Sequence, residues 1–128
     1  MLKFIFLNIS FLLTWNIYAS YLIIPMDKKQ KNHLKSYGIA YWTLEQDIDV
    51  SWLLNYRGGS FLIKYNNIIE KECLIRGVSY EIIADAQSNK ILIEISNLEK
   101  NQDVVKLEKA PKIAVYSPKS KQPWDDAV

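Results

Sequence analysis

The chain has 128 residues, 49% of them hydrophobic and 23% charged, which is the make-up of one ordinary globular domain and excludes a disordered or fibrous segment. Sixteen basic against fourteen acidic side chains leave a net charge of +2 and a pI near 8.6. A phosphate-tracking surface takes a clustered basic stripe and a pI above about 9, so no nucleic-acid partner is expected. The single cysteine, Cys73, excludes an intrachain disulfide and any multi-cysteine metal cluster; no metal and no cofactor is expected.

Residues 1–19 read as a secretory signal peptide. Lys3 supplies the charged start, an apolar run from Phe4 to Trp15 is broken only by Asn8, Ser10 and Thr14, and Ala19 and Ser20 are small enough for a cleavage site. The run is short for a bilayer span, which needs about 20 apolar residues, so no stable membrane anchor is expected after cleavage. A retained anchor and a buried N-terminal helix are the alternatives. Cleavage after Ala19 leaves a nearly neutral, exported chain, periplasmic or extracellular.

Tyr21–Pro25 is a continuous apolar run with the look of a strand buried on both faces. From Lys28 to Gln46, with Asp27 as cap, Leu34, Tyr37, Tyr41, Leu44 and Ile48 fall at steps of three and four opposite Lys28, Lys31, Asn32 and Lys35, the pattern of an amphipathic helix. Val50–Leu54 and Phe61–Ile63 read as strands on either side of Gly58-Gly59. Ile68–Arg76 reads as a helix, capped at Asn66 or Asn67, with Glu70 in capping-box position and Gly77 as the left-handed stop. Val78–Ala84 reads as a strand, with Asp85 as a cap for the next segment. Lys90–Leu98 fits both periods, and we favour helix. A charged link over Glu99–Pro111 precedes a strand at Lys112–Tyr116, and Pro123 with Asp125 and Asp126 resembles a helix start.

Strands alternating with helices predict an α/β unit, a mostly parallel sheet with covering helices in flavodoxin- or Rossmann-like layering. The expected organisation is a signal peptide over 1–19, an α/β domain over 20–109, and an incomplete second α/β unit over 110–128, making the chain an N-terminal fragment.

Ligands of open parallel sheets sit beyond the carboxyl ends of the strands, a rule that collects Asp27, the loop Asn55–Ser60, Asp85 and Ser117. In that loop Gly58 and Gly59 let backbone amides approach an anion, Arg57 can grip a carboxylate or phosphate bidentately, and Ser60 adds a hydroxyl. The loop and Asp27 are therefore the candidate site for a small anionic ligand. The near-symmetric flanks SWLLNY and SFLIKY equally suit glycines that turn a β-hairpin, and both readings can hold together. The loop has neither the Gly-Lys-Ser/Thr of a P-loop nor the third glycine of a dinucleotide fingerprint. His33 lies among lysines with no carboxylate or cysteine at metal or triad spacing, and Cys73 among isoleucines reads as a buried structural thiol. Tyr37, Tyr41, Trp42 and Trp52 read as core or interface.

Several stretches, YLIIPMD, QKNHLKSYGIAYWTLEQ, SWLLNYRGGSF, IEKECLIRGVSYEIIADAQ and VVKLEKAPKIAVYSPKSKQPWDDAV, resemble the N-terminal region of a group of exported bacterial proteins that carry the name asparagine synthetase B. The similarity spans nearly the whole mature chain, and NYRGGSF and PWDDAV are its most specific parts. Members of that group continue well past the length of this chain. A glutamine-hydrolysing asparagine synthetase opens with a nucleophilic cysteine, whereas position 2 is Leu2. Its Ser-Gly-Gly-x-Asp-Ser loop for ATP shares only the glycines with Arg57-Gly58-Gly59-Ser60-Phe61-Leu62. The resemblance carries over no catalytic residue. The chain itself reads as a binding or scaffold domain with no complete active site; the alternatives are part of an amidotransferase- or amidohydrolase-type enzyme, as the asparagine synthetase label implies, with its catalytic residues beyond Val128, and a partner-binding module using Trp42 and Trp52.

Overall fold

The structure, a computed structural model, describes residues 21–114. The elements run β1 (Tyr21–Ile24), α1 (His33–Glu45), β2 (Val50–Leu54), β3 (Ser60–Lys64), α2 (Asn67–Arg76), β4 (Glu81–Ile83), α3 (Asp85–Ile95), a single 3-10 turn at Leu98–Lys100, and β5 (Asp103–Leu107). The five strands form one sheet in the order β4-β1-β3-β2-β5, and every neighbouring pair is antiparallel.

The mostly parallel, flavodoxin- or Rossmann-like sheet expected from the alternating elements does not form. β1 and β2 do run the same way across α1, but β3 is inserted between them, and Leu22 pairs with Ile63 while Val50 pairs with the same Ile63 from the other side. The β1-α1-β2-β3-α2-β4 succession with β4-β1-β3-β2 order is the split βαβ arrangement of ferredoxin-like folds, here extended by β5 along β2. Helix-linked strands whose sequence is apolar on both faces look the same whether their neighbour is parallel or not, because helices cover both faces here too.

Two buried clusters show those faces. Leu22, Ile24, Val50, Phe61 and Ile63 meet Ile39, Ala40 and Leu44 of α1 and Ile69 and Cys73 of α2. Ile23, Leu53, Leu62 and Ile83 meet Ile91 and Ile95 of α3 on the opposite side. Each fully buried aliphatic side chain contributes about 1.5–3 kcal/mol, and the period-two alternation along β1 and β3 assigns neighbours to opposite cores.

Helix α1 starts at His33, not at Lys28. Asn32 is its cap, its side chain accepting from the Lys35 amide at 3.0 Å. Asp27 instead closes a tight turn, Oδ1 accepting from Lys29 N and its carbonyl from Gln30 N, both at 3.0 Å. The helix also buries another face than its apolar spacing suggests: Ser36, Ile39, Ala40, Thr43 and Leu44 face inward while Leu34 stays 82% exposed and Tyr37 50%. Ser36 and Thr43 donate to the carbonyls of Asn32 and Ile39 at 2.8 Å, so their hydroxyls need no outside partner and the slim face packs close to the sheet.

Helix α2 is capped by Asn66 and ends at Gly77 in the left-handed region, as its sequence predicts. Glu70 does not reach back to the cap; its carboxylate accepts from the Tyr65 and Tyr80 hydroxyls at 2.7 and 3.0 Å. Lys90–Ile95 is helical, within α3. β5 occupies part of the stretch whose charge suggests a link, while residues 111–114, three of which fall in the predicted strand Lys112–Tyr116, carry no regular element. The signal segment, the rest of that strand and the helix start after Pro123 lie outside the described residues. No helix among the described residues is long and apolar enough to cross a membrane.

Candidate functional site

The β2–β3 connection is a hairpin turn, with Leu53 opposite Ser60 in the antiparallel register. Its backbone passes through the left-handed region at Asn55, Arg57, Gly58 and Gly59. Gly58 is required there: a Cβ would stand 2.5 Å from the Met26 carbonyl oxygen. That close approach lets Met26 N donate to Arg57 O at 3.1 Å, tying the turn to the segment between β1 and α1.

Arg57 and Asp27, both expected at the site, do come together. Arg57 Nε donates to Asp27 Oδ2 at 2.8 Å, and the two terminal nitrogens donate to Glu81 at 2.9 and 3.0 Å as a bidentate pair. Glu81, on β4, is the member that sequence reasoning missed, because only the β4-β1-β3 order brings it beside the turn. The hydrogen bonds from Arg57 hold both carboxyls below their usual range, and the Glu81 and Asp27 pairs push the guanidinium up. Ser60 is fully buried and its hydroxyl contacts the carbonyls of Tyr56 and Arg57 at 3.0 and 3.3 Å. Gly59 N donates to Tyr56 O, and its carbonyl accepts from Trp52 Nε1 at 3.1 Å. The guanidinium fork is thus occupied by protein carboxylates, and the arrangement clasps three segments together.

The neighbouring polar groups serve the same purpose. Buried Gln30 donates to the carbonyls of Pro25 and Ser79 at 2.9 and 3.0 Å and accepts from Ser79 N at 2.9 Å. His33 Nε2 lies 3.1 and 3.2 Å from the carbonyls of Met26 and Asp27, so this nitrogen carries the proton and donates. Cys73 is fully buried and its thiol is pushed up to about 12, chiefly by burial, which keeps it protonated and unreactive at neutral pH.

A different surface has the character of a binding site. Tyr37, Tyr41 and Leu44 of α1, Trp52 of β2, Phe61 of β3 and Leu107 of β5 line a groove of about 180 Å³ with almost wholly apolar walls. The ring of Tyr37 meets Phe61 edge-on at 5.7 Å, and Trp52 stacks on Phe61 at 6.1 Å, so the aromatic walls brace one another. An apolar cavity of about 150 Å³ accommodates benzene, so this groove has room for one six-membered ring. Tyr37, Tyr41 and Trp52 belong to the aromatic group singled out in the sequence; Trp42 does not join them and lies 5.9 Å below the Arg76 guanidinium. Leu107 was missed with β5 itself. Comparison with family models, curated proteins and solved structures returns no match to this chain.

Proposed function

We propose that this chain is a binding or scaffold domain, the N-terminal part of an exported protein of the kind that carries the name asparagine synthetase B, and that it works by holding an aromatic side chain of a partner segment in the α1–sheet groove. The observation that carries this reading is the groove itself, a braced aromatic slot the size of one ring with Tyr37 half exposed at its edge. Supporting it, the polar groups nearest the hairpin are engaged with each other, and Cys73 and His33 are held in structural roles. Solvent exposure of a braced aromatic surface is what recognition of an apolar partner uses.

The test is titration of the full chain with N-acetyl-phenylalaninamide, following the Trp52 indole N–H signal by NMR. Saturable shifts at Trp52 and at the Tyr37 and Phe61 amides, lost in Leu44→Lys, are the expected result. Absence of a saturable shift up to the solubility limit refutes the groove as the recognition surface. The export component is tested separately: a mature product beginning at Ser20 supports it, and an intact amino terminus on the accumulated protein removes it.

A further inference from the structure

The aromatic groove opens between α1 and the β2–β5 end of the sheet. In the β5 register Val105 stands opposite Trp52 and Leu107 opposite Val50, so side-chain alternation puts both on the face of the groove. Leu107 forms one of its walls, while Val105 is left 37% exposed. The chain does not turn back along β5, since residues 108–114 form no strand. It crosses toward α1 instead. Ala110 packs against the α1-side core, and the Tyr41 hydroxyl donates to the Pro111 carbonyl oxygen at 3.5 Å. Tyr41 is itself a wall of the groove, so the chain leaves one wall at Leu107 and touches the facing one four residues later.

The residues that follow bring a ring of the right kind to this place. Lys112, Ile113 and Ala114 are exposed, so none of them fills the groove. Tyr116 is the first aromatic residue after β5, two positions past the last described residue and five past Pro111. Five extended residues span at most about 17 Å, whereas an α-helix with its side chains is about 10 Å across, so Tyr116 reaches any point of a groove that Tyr41 bounds. The groove has room for one six-membered ring between apolar walls, and a phenol offers an apolar body with a polar tip that stays in water at the mouth. A tether this short gives the ring an effective concentration in roughly the millimolar range, so even weak contacts hold it.

Resting on the reading of the groove as an aromatic-binding surface, we propose that its resident occupant is Tyr116 of the same chain, and that a partner's ring binds by displacing it. The segment after β5 is then an intramolecular competitor that sets how readily the groove accepts a partner.

The test compares the full chain with its Tyr116→Ala and Tyr116→Phe variants, with N-acetyl-phenylalaninamide as the competing probe and the Trp52 indole N–H signal as the readout. The expected result is an NOE between the Tyr116 ring and the Trp52 indole in the parent, a displaced Trp52 signal in Tyr116→Ala, and a nearly unchanged one in Tyr116→Phe. A groove that Tyr116 fills about nine-tenths of the time is open for the remaining tenth, so Tyr116→Ala binds the probe about tenfold more tightly than the parent. Equal probe affinity in the parent and Tyr116→Ala, with no Tyr116–Trp52 NOE, overturns this inference and leaves the recognition role of the groove standing. Absence of saturable binding in both forms overturns that role and this inference together. A Tyr116–Trp52 NOE seen only between differently labelled copies in a mixed sample places the ring in a neighbouring chain and also overturns it.

Discussion

Arg57→Met tests whether the three-way clasp stabilises the fold. Methionine keeps the apolar stem and removes the fork, and both residues bear the same left-handed backbone, so that cost cancels. Three charge-assisted hydrogen bonds disappear, at 2.8, 2.9 and 3.0 Å. The side chains keep 22% exposure at Arg57, 30% at Asp27 and 39% at Glu81, so solvent screens each bond to about 0.5–1 kcal/mol rather than the larger figure of a dry pair. The expected loss is about 2 kcal/mol at pH 7, which for a domain of this size lowers Tm by roughly 8–16 °C. Urea unfolding followed by tryptophan fluorescence measures it. The pH dependence gives a second reading. Both carboxyls titrate lower in the folded chain than their ordinary values of 3.8 and 4.5, so the unfolded chain takes up protons first as pH falls. The clasp therefore contributes fully above about pH 5 and is lost as the pH drops through the folded values, and the gap between parent and variant closes there. A gap below about 0.5 kcal/mol at pH 7, or one that is constant down to acid, refutes the reasoning.

Gly58→Ala and Gly77→Ala form a matched pair, since both positions have positive φ but only Gly58 faces a backbone carbonyl. Chemical denaturation is expected to show about 1 kcal/mol for Gly77→Ala and about 3 kcal/mol or more for Gly58→Ala; equal losses would mean that the Met26 approach is not rigid. Cys73 is expected to react with a thiol reagent at pH 8 only at the rate of global unfolding, and a fast reaction in native buffer contradicts its burial. Glu70 raises the titration of Tyr65, and burial together with Glu70 that of Tyr80. Stability is therefore full below the ordinary phenol value of 10.0 and falls as pH rises beyond it, a decline that Glu70→Gln is expected to reduce in alkaline unfolding experiments.

Some local signals in this sequence are legible where one or two residues decide the backbone conformation, though not at the start of α1, where Asn32 and not Asp27 is the cap. Asn66 and Gly77 delimit α2, and Gly58-Gly59 turns the hairpin. The sheet was not legible, because helix-linked apolar strands carry no mark of which neighbour they will take. The inward face of α1 was hidden by the opposite effect: Ser36 and Thr43 count as polar in any spacing argument, yet each satisfies its hydroxyl within the helix. The site divides in the same way. Arg57 and Asp27 were found by residue type, while Glu81, whose carboxylate completes the fork, is 24 residues away along the chain and could be found only from the strand order. The aromatic groove was half legible, through Tyr37, Tyr41 and Trp52, and its Leu107 wall was lost in a charged stretch where Val104 and Val105 were the only sign of a strand.

The interior position of β1, between β4 and β3, has a kinetic consequence. The first described strand to be synthesised, Tyr21–Ile24, takes its partners from residues 61–64 and 81–83, so it waits about forty residues for one edge and about sixty for the other. Until then four consecutive apolar or aromatic residues have no strand partner, and no amino-terminal portion ending before β3 contains a complete pairing for them. The nascent chain consequently commits to its native state late and as a unit, and through that interval it is open to capture by a chaperone or by another chain's strand edge.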